Sequence, residues 1–251
     1  MTMTEIISVR GLAVGYDQRP VLSGLDFSIP RGEVTVIVGT SGCGKSTLLK
    51  SLMGLVPPLA GEVLYQDEPL DFQSEKALRS FHRRTGVLFQ DGALLNSLTL
   101  LENVALPLRM EFPGLSETII AEMARARLAQ VGLAGDEDKR PPELSGGMRK
   151  RGALARAIIQ EPEILFCDEP SSGLDPLISA GLDELLLDFK AAFGETLVVV
   201  THELRSIRRI ADRVLVLHNG RLHASGRLED IQASRDPFIE AFFLREARHD
   251  D

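Results

Sequence analysis

Cysteine is scarce in this chain, positive charge is outnumbered, and no apolar run is long. The two cysteines, Cys43 and Cys167, show no pattern of a disulfide framework and point to a reducing, cytoplasmic setting. No apolar stretch approaches the ~20 residues that span a bilayer. The longest candidates, Val34–Val38, Ile164–Cys167 and Thr196–Thr201, have strand lengths. Residues 1–9 carry no basic segment, long apolar stretch or cleavage site, so no signal peptide is predicted. Any membrane association must then come through partners. With 36 acidic against 28 basic residues and a formal net charge of -8, broad phosphate neutralisation is disfavoured and no nucleic-acid partner is expected. Internal repeats and low-complexity tracts are absent.

What is there suits a substantial α/β core. Of the 251 residues, 44% are hydrophobic and 25% charged, as in ordinary globular domains. Short β-rich runs alternate with longer helical ones, which predicts a largely parallel sheet. Ile6–Val14 and Val21–Ile29 read as edge strands of an antiparallel patch, and Val34–Val38 as a central strand buried on both faces. A glycine-rich turn and a helix over 45–55 follow, stopped by Gly54 and the Pro57-Pro58 pair. Gly86–Gln90 reads as a strand end, and residues 91–160 turn helical, with Ser116 as a cap for a helix reaching Val131. The parallel pattern resumes with Ile164–Cys167, a helix Pro176–Phe193 between an Asp175 cap and a Gly194 stop, Thr196–Thr201, and a helix Glu203–Ala211. Val214–Leu217 and Arg221–Ala224 flank Asn219-Gly220, the signature of a type I′ hairpin.

Three motifs carry chemistry. Gly39-Thr40-Ser41-Gly42-Cys43-Gly44-Lys45-Ser46, followed by Thr47, fits the phosphate-loop pattern G-x(4)-G-K-[ST] between a buried strand and a helix. Its glycines let backbone N–H groups curl around phosphate oxygens, and the helix N-terminus adds positive potential. Lys45 would reach the β- and γ-phosphates, and the Ser46 hydroxyl would ligate Mg²⁺. Ile164-Leu165-Phe166-Cys167-Asp168-Glu169 is an apolar strand ending in two carboxylates, which must be paired or metal-linked where buried. Beside a phosphate loop, Asp168 would organise Mg²⁺ through water, and Glu169 would polarise the attacking water as general base. Leu144-Ser145-Gly146-Gly147-Met148 opens a helical segment. Alone it is an ordinary helix cap; in a chain that already has a phosphate loop, Ser145, Gly146 and Gly147 make a second anion-binding helix start.

This third motif resembles the signature sequence of the ABC ATPase family, with Met148 where glutamine is usual. The resemblance spans about residues 5–225. It implies a P-loop NTPase with a RecA-like core, an antiparallel β subdomain and an inserted α-helical subdomain. The core would cover 5–90 and 160–225, the helical lobe 91–159, and a C-terminal extension 226–251. It further implies two copies facing head to tail, each signature closing on the γ-phosphate of ATP held by the other. Tyr16 resembles the aromatic that stacks on adenine. Gln90 resembles the glutamine that senses Mg²⁺ and water, so Ser46, Gln90 and Asp168 form the metal set. Ser172-Gly173-Leu174-Asp175 resembles the loop that communicates across the dimer, and His202 the switch histidine near the γ-phosphate. Glu169, His202 and Lys45 would then be the catalytic residues.

The transporter branch of the family is expected over its soluble branch, because one ATPase module and no heptad array are present. The linker from Leu88-Phe89-Gln90 to Pro107-Leu108-Arg109 resembles ATPase subunits of the Mla/MCE-type phospholipid transporters. So do Glu143-Leu144-Ser145-Gly146-Gly147-Met148-Arg149-Lys150-Arg151 and the tail around Ser234-Arg235-Asp236-Pro237-Phe238. That implies lipid moved between inner and outer bacterial membranes, and a separate permease docked between Gln90 and the helical lobe near Ala93–Leu101. It also implies an MCE-type lipid-binding partner and a peripheral position on the cytoplasmic face of the inner membrane. Amino-acid and lipoprotein transporter ATPases share much of the linker and remain the alternative. Cys43 and Cys167 read as fillers of small positions rather than redox switches. Arg149, Lys150, Arg151 and Arg156 read as a solvated helix face. The tail phenylalanines Phe238, Phe242 and Phe243 suit either a dimer contact or a fold back onto their own domain.

Overall fold

Continuous β-branched runs build the central strands here, and tight turns end them. The computed structural model describes residues 4–247. Residues 1–3 and 248–251, the latter closing the expected extension, lie outside the described residues. The elements begin with β1 (Glu5–Tyr16), β2 (Arg19–Pro30), β3 (Val34–Gly39), α1 (Lys45–Leu52), β4 (Ala60–Tyr65), β5 (Glu68–Pro69) and α2 (Glu75–His82). Next come β6 (Thr85–Leu88), α3 (Leu100–Glu111), α4 (Glu117–Gln130), α5 (Gly146–Ala157), β7 (Ile164–Asp168) and α6 (Pro176–Phe193). The chain closes with β8 (Thr196–Val200), α7 (Leu204–Ile210), β9 (Arg213–His218), β10 (Arg221–Arg227), α8 (Leu228–Gln232) and α9 (Pro237–Ala247). The described residues up to His82, with those from Glu195 onward, form one unit, and Arg83–Gly194 forms the other. β6, β7 and α6 thus group with the helices α3, α4 and α5.

In the first unit β3 is flanked by β8 and β9, both parallel to it, with Ile37 opposite Val200 and Leu215. Every residue of β3 and of β8 is buried, and each such valine, leucine or isoleucine contributes about 1.5–3 kcal/mol relative to exposure. Polar groups are confined to the strand starts. The Gly32 N–H donates to Thr196 Oγ1 (2.9 Å) and the Val34 N–H to Asp212 Oδ2 (2.7 Å). β10 pairs antiparallel with β9 across Asn219 and Gly220, whose φ values of 48° and 72° are those of the expected type I′ turn. A separate antiparallel sheet runs β2-β1-β4-β5. β1 is therefore an interior strand, not the edge its sequence suggested. The reason is β4, which pairs Val63 with Val9 and buries only Val63 and Leu64, too few to show as a strand pattern.

In the second unit β6 and β7 pair in parallel, Leu88 opposite Cys167. α3 starts in a capping box: the Glu102 N–H donates to Thr99 Oγ1 (3.2 Å) and the Thr99 N–H to Glu102 Oε2 (2.7 Å). That backbone donor holds the Glu102 carboxyl below its usual pKa. Fully buried Asn103 ties down the preceding loop, donating to the carbonyls of Leu95, Leu98 and Thr99 and accepting the Leu95 N–H. α4 is capped by Ser116, and α6 spans Pro176–Phe193 between Asp175 and left-handed Gly194, as the sequence indicates. Among the described residues no helix is long and apolar enough to cross a membrane.

The tail folds back on its own unit. Asp236 Oδ1 accepts the N–H groups of Phe238 and Ile239 at the start of α9 and lies 3.1 Å from His223 Nε2. The bond from His223, then that from Ile239, lowers the Asp236 pKa. The Phe238 ring packs on His218 with centroids 3.9 Å apart, and Ile239 and Phe242 are buried. Phe242→Ala is expected to open α9 locally by about 3 kcal/mol, roughly a hundredfold in the opening equilibrium. Amide exchange within 238–247 should accelerate accordingly while β3 and β8 keep their protection; unchanged exchange in α9 would contradict this docking.

Candidate functional site

The fully buried strand β3 ends at Gly39, and the phosphate-loop residues follow in a tight turn. A Cβ on Gly39 would stand 2.4 Å from the Leu217 carbonyl oxygen and 2.7 Å from Cys43 Sγ, so only glycine fits. Gly42 and Gly44 take φ values of 76° and 105°, and Gly44 begins α1 without a side-chain cap. The first turn of α1 therefore presents backbone N–H groups toward the loop, the arrangement that attracts an anion. Lys45 spans the loop, donating to the carbonyls of Gly39 (2.9 Å) and Thr40 (3.3 Å). Thr40, Ser41, Gly42 and Ser46 are exposed, whereas Thr47 is partly covered. Cys43 is buried, and desolvation raises its pKa against the pull of Lys45. Burial of the Cys43 side chain against Gly39 is in line with a filling role.

Two more expected residues fall in this unit. Tyr16 closes β1 opposite Arg19 and is 49% exposed, not a core tyrosine. β2 runs on from Arg19, and Val21 and Leu22 pack against Gly44, which brings that hairpin alongside the phosphate loop. His202 is exposed, two residues past the end of β8. Since Val200 pairs with Ile37 in parallel, His202 and Gly39 stand at the same distance beyond the last ladder pair.

The second unit holds the carboxylates and the signature. β7 stays buried through Cys167, and Asp168 and Glu169 at its end are partly exposed. Glu169 has φ 47°, a left-handed conformation that costs a non-glycine residue on the order of 1 kcal/mol. Gln90 is exposed two residues past Leu88, which pairs with Cys167, so Gln90 and Glu169 leave the two strands at equivalent points. Ser145 caps α5, its hydroxyl oxygen accepting the Met148 N–H (3.2 Å). A Cβ on Gly147 would stand 2.7 Å from Ile178 Cγ2, so this glycine lets α5 press on α6. Asp175 Oδ1 caps α6 by accepting the N–H groups of Leu177 and Ile178, each at 3.1 Å.

The basic residues of α5 correct the sequence reading. They do not form one solvated face. Lys150 is 7% exposed, and its Nζ donates to the carbonyls of Gln90 and Glu169. Arg156 donates to the carbonyls of Gly92 (2.8 Å) and Ala93 (2.7 Å), and desolvation lowers its pKa. Arg149 donates to the Leu144 carbonyl (2.8 Å). A cation whose partners are backbone oxygens sixty residues away leaves no pattern in the sequence.

Among the described residues no group of three or more His, Cys, Asp or Glu could hold a metal ion. Of the residues expected to hold Mg²⁺, only Asp168 brings a carboxylate, which suits an ion that keeps most of its ligands as water and phosphate oxygens. The glycine cradle at Gly39 and the uncapped α1 start fit such a phosphate.

The comparisons agree with this geometry. The ABC transporter family matches residues 22–172. A probable ribonucleotide transport ATP-binding protein of Mycobacterium leprae is 41% identical over 96% of this chain and 70% of its own length. The intermembrane phospholipid transport system ATP-binding protein MlaF of Escherichia coli K12 is 35% identical over 96% of this chain and 89% of its own. A methionine import ATP-binding protein of Caulobacter vibrioides is 36% identical over 98% and 74%. Among solved structures, cbiO1 of Clostridium perfringens, part of the transporter complex cbiONQ, superposes with a TM-score of 0.84 at 30% identity over 98% of this chain and 97% of its own. A dimeric ATP-binding cassette in a post-hydrolysis state with ADP and Pi gives 0.81 at 30% identity over 88% and 98%.

Gly39→Ala should lower ATP affinity by roughly tenfold or more, the cost of displacing a crowded, positive-φ turn. Nucleotide titration measures it, and unchanged affinity would mean the loop relaxes around a Cβ. With the phosphate loop, the paired carboxylates, the signature cap and these relatives in agreement, this chain belongs to the ABC transporter ATP-binding family and is an ATPase with the P-loop NTPase fold.

Proposed function

We propose that this chain powers phospholipid movement between the inner and outer membranes of a double-membraned bacterium, through a separate permease and with an MCE-type lipid-binding partner. Identity alone does not choose the cargo, since relatives named for ribonucleotide, methionine and phospholipid transport lie at 41%, 36% and 35%. What supports the phospholipid reading is the resemblance of the linker from Leu88 to Arg109, and of Glu143–Arg151 with Met148 ending the signature, to ATPase subunits of Mla/MCE-type transporters, together with the MlaF relative at 35% identity. The chain would sit peripherally on the cytoplasmic face of the inner membrane, held by its permease. Purification of the complex from native membranes, with mass analysis of proteins and lipids, tests this. A permease with an MCE-type protein and bound phospholipid is expected. A methionine-type importer would replace the cargo, and purely soluble partners would overturn the transport role.

In this reading two copies meet head to tail around two ATP molecules. Tyr16 stacks on adenine, the Gly39–Thr47 loop holds the phosphates, and Ser145, Gly146 and Gly147 of the second copy close on the γ-phosphate. Ser46 and Gln90, with Asp168 through water, would hold Mg²⁺, which would neutralise charge on the phosphates. Glu169 orients a water for in-line attack and takes its proton, and Lys45 and His202 stabilise the charge that develops. Leu177, 82% exposed just past the 172–175 loop, offers an apolar contact for the facing copy. Glu169→Gln keeps the backbone and the volume but removes the base. It should lower kcat by at least about a hundredfold while leaving ATP affinity within about twofold. Turnover near the wild-type rate would remove Glu169 from this role.

A further inference from the structure

We infer that Lys150 is a positioning residue for hydrolysis, fixing the backbone at Gln90 and at Glu169 through one ammonium group. The inference rests on the role proposed above for Glu169. Lys150 lies on α5, five residues past the cap Ser145. It is buried, and its Nζ donates to the Gln90 carbonyl oxygen and, at 3.2 Å, to that of Glu169. The parallel pairing of β6 with β7 makes this bridge possible, because Gln90 and Glu169 stand at equivalent positions past the Leu88–Cys167 pair. A charged donor shared by two carbonyls is a strong tie, and a neutral side chain of similar volume could not replace it.

The Glu169 backbone makes that tie consequential. Its φ of 47° is unfavourable for a glutamate, so the conformation must be held from outside. The Glu169 carbonyl receives the Ser172 N–H (3.2 Å) on its own loop and Lys150 from α5. Rotation of that peptide would swing the carboxylate whose direction decides how water is oriented. Arg156, on the same helix, donates to the carbonyls of Gly92 and Ala93. The loop from Gln90 to Ala93 is therefore fastened to α5 at three carbonyls. A displacement of α5, whose start is the signature, would pass directly to the loop that carries Gln90 and to the peptide that aims Glu169.

The test compares Lys150→Met, Lys150→Arg and Glu169→Gln with the wild type, each as the full chain in the complex in which it is purified. Lys150→Met should lower kcat roughly ten- to a hundredfold, the effect of a small misplacement of a catalytic group. KM for ATP should stay within about twofold, and Tm within a few degrees. Lys150→Arg, which keeps charged donors, should recover most of the lost kcat. A Lys150→Met enzyme with wild-type kcat overturns the inference. So does parallel loss of kcat, ATP affinity and Tm without recovery in Lys150→Arg, which marks a purely structural lysine. If Lys150→Met does not fold, Lys150→Gln takes its place: lowered kcat at unchanged KM supports the inference and unchanged kcat overturns it. Near-normal turnover in Glu169→Gln would instead fail the assignment of the base, whatever the Lys150 variants do.

Discussion

A strand buried on both faces admits charged side chains only outside its span, and the chemistry of this chain depends on that constraint. β3 and β8 are covered along their whole length, so the phosphate loop with Lys45 follows Gly39 and His202 follows Val200. β7 obeys the same rule: four buried residues, then Asp168 and Glu169. Parallel pairing then does what no single segment could. It makes neighbouring strands end on the same side, so that loops far apart in sequence open next to each other. In the first unit this sets His202 level with Gly39. In the second it sets Gln90 level with Glu169.

Much of this was legible because each motif dictates its own backbone. The phosphate loop needs glycine at Gly39, where a Cβ would meet a carbonyl and a thiol. The hairpin turn needs residues that accept positive φ, and Asn219-Gly220 supplies them. α6 carries both of its boundaries in its sequence, an Asp175 cap with Pro176 behind it and Gly194 at its end. In all these cases the cause lies within a few residues of the effect, so one sequence suffices.

The unread parts have causes at a distance. β4 and α2 bury few side chains, Val63 and Leu64 in one and Phe81 in the other; β4 draws its order from pairing with β1 and α2 from contact with Tyr65 and the turn at Met53 and Gly54, not from periodicity. Lys150 and Arg156 looked like surface charges because their partners are main-chain oxygens of the 90–93 loop, and a carbonyl is the same at every position of a sequence. The tail phenylalanines left two readings open. What decides between them is His218, His223 and Asp236, a cluster that the β9–β10 hairpin assembles around Phe238.

α5 shows how close packing fixes the position of a side chain. Its Gly152 approaches α3 so closely that a Cβ would stand 2.5 Å from Leu100 Cδ1, and its Gly147 allows equally close contact with α6. A helix packed at that distance behaves as a rigid body, because sliding it would force overlaps across both contacts. Rigidity turns any donor on its inner face into a fixed point. The signature at its start and the lysine at its second turn are then parts of one lever, with the glycines setting its seat and Lys150 its reach. A side chain so placed acts at a distance, because it holds the peptide from which the Glu169 carboxylate hangs.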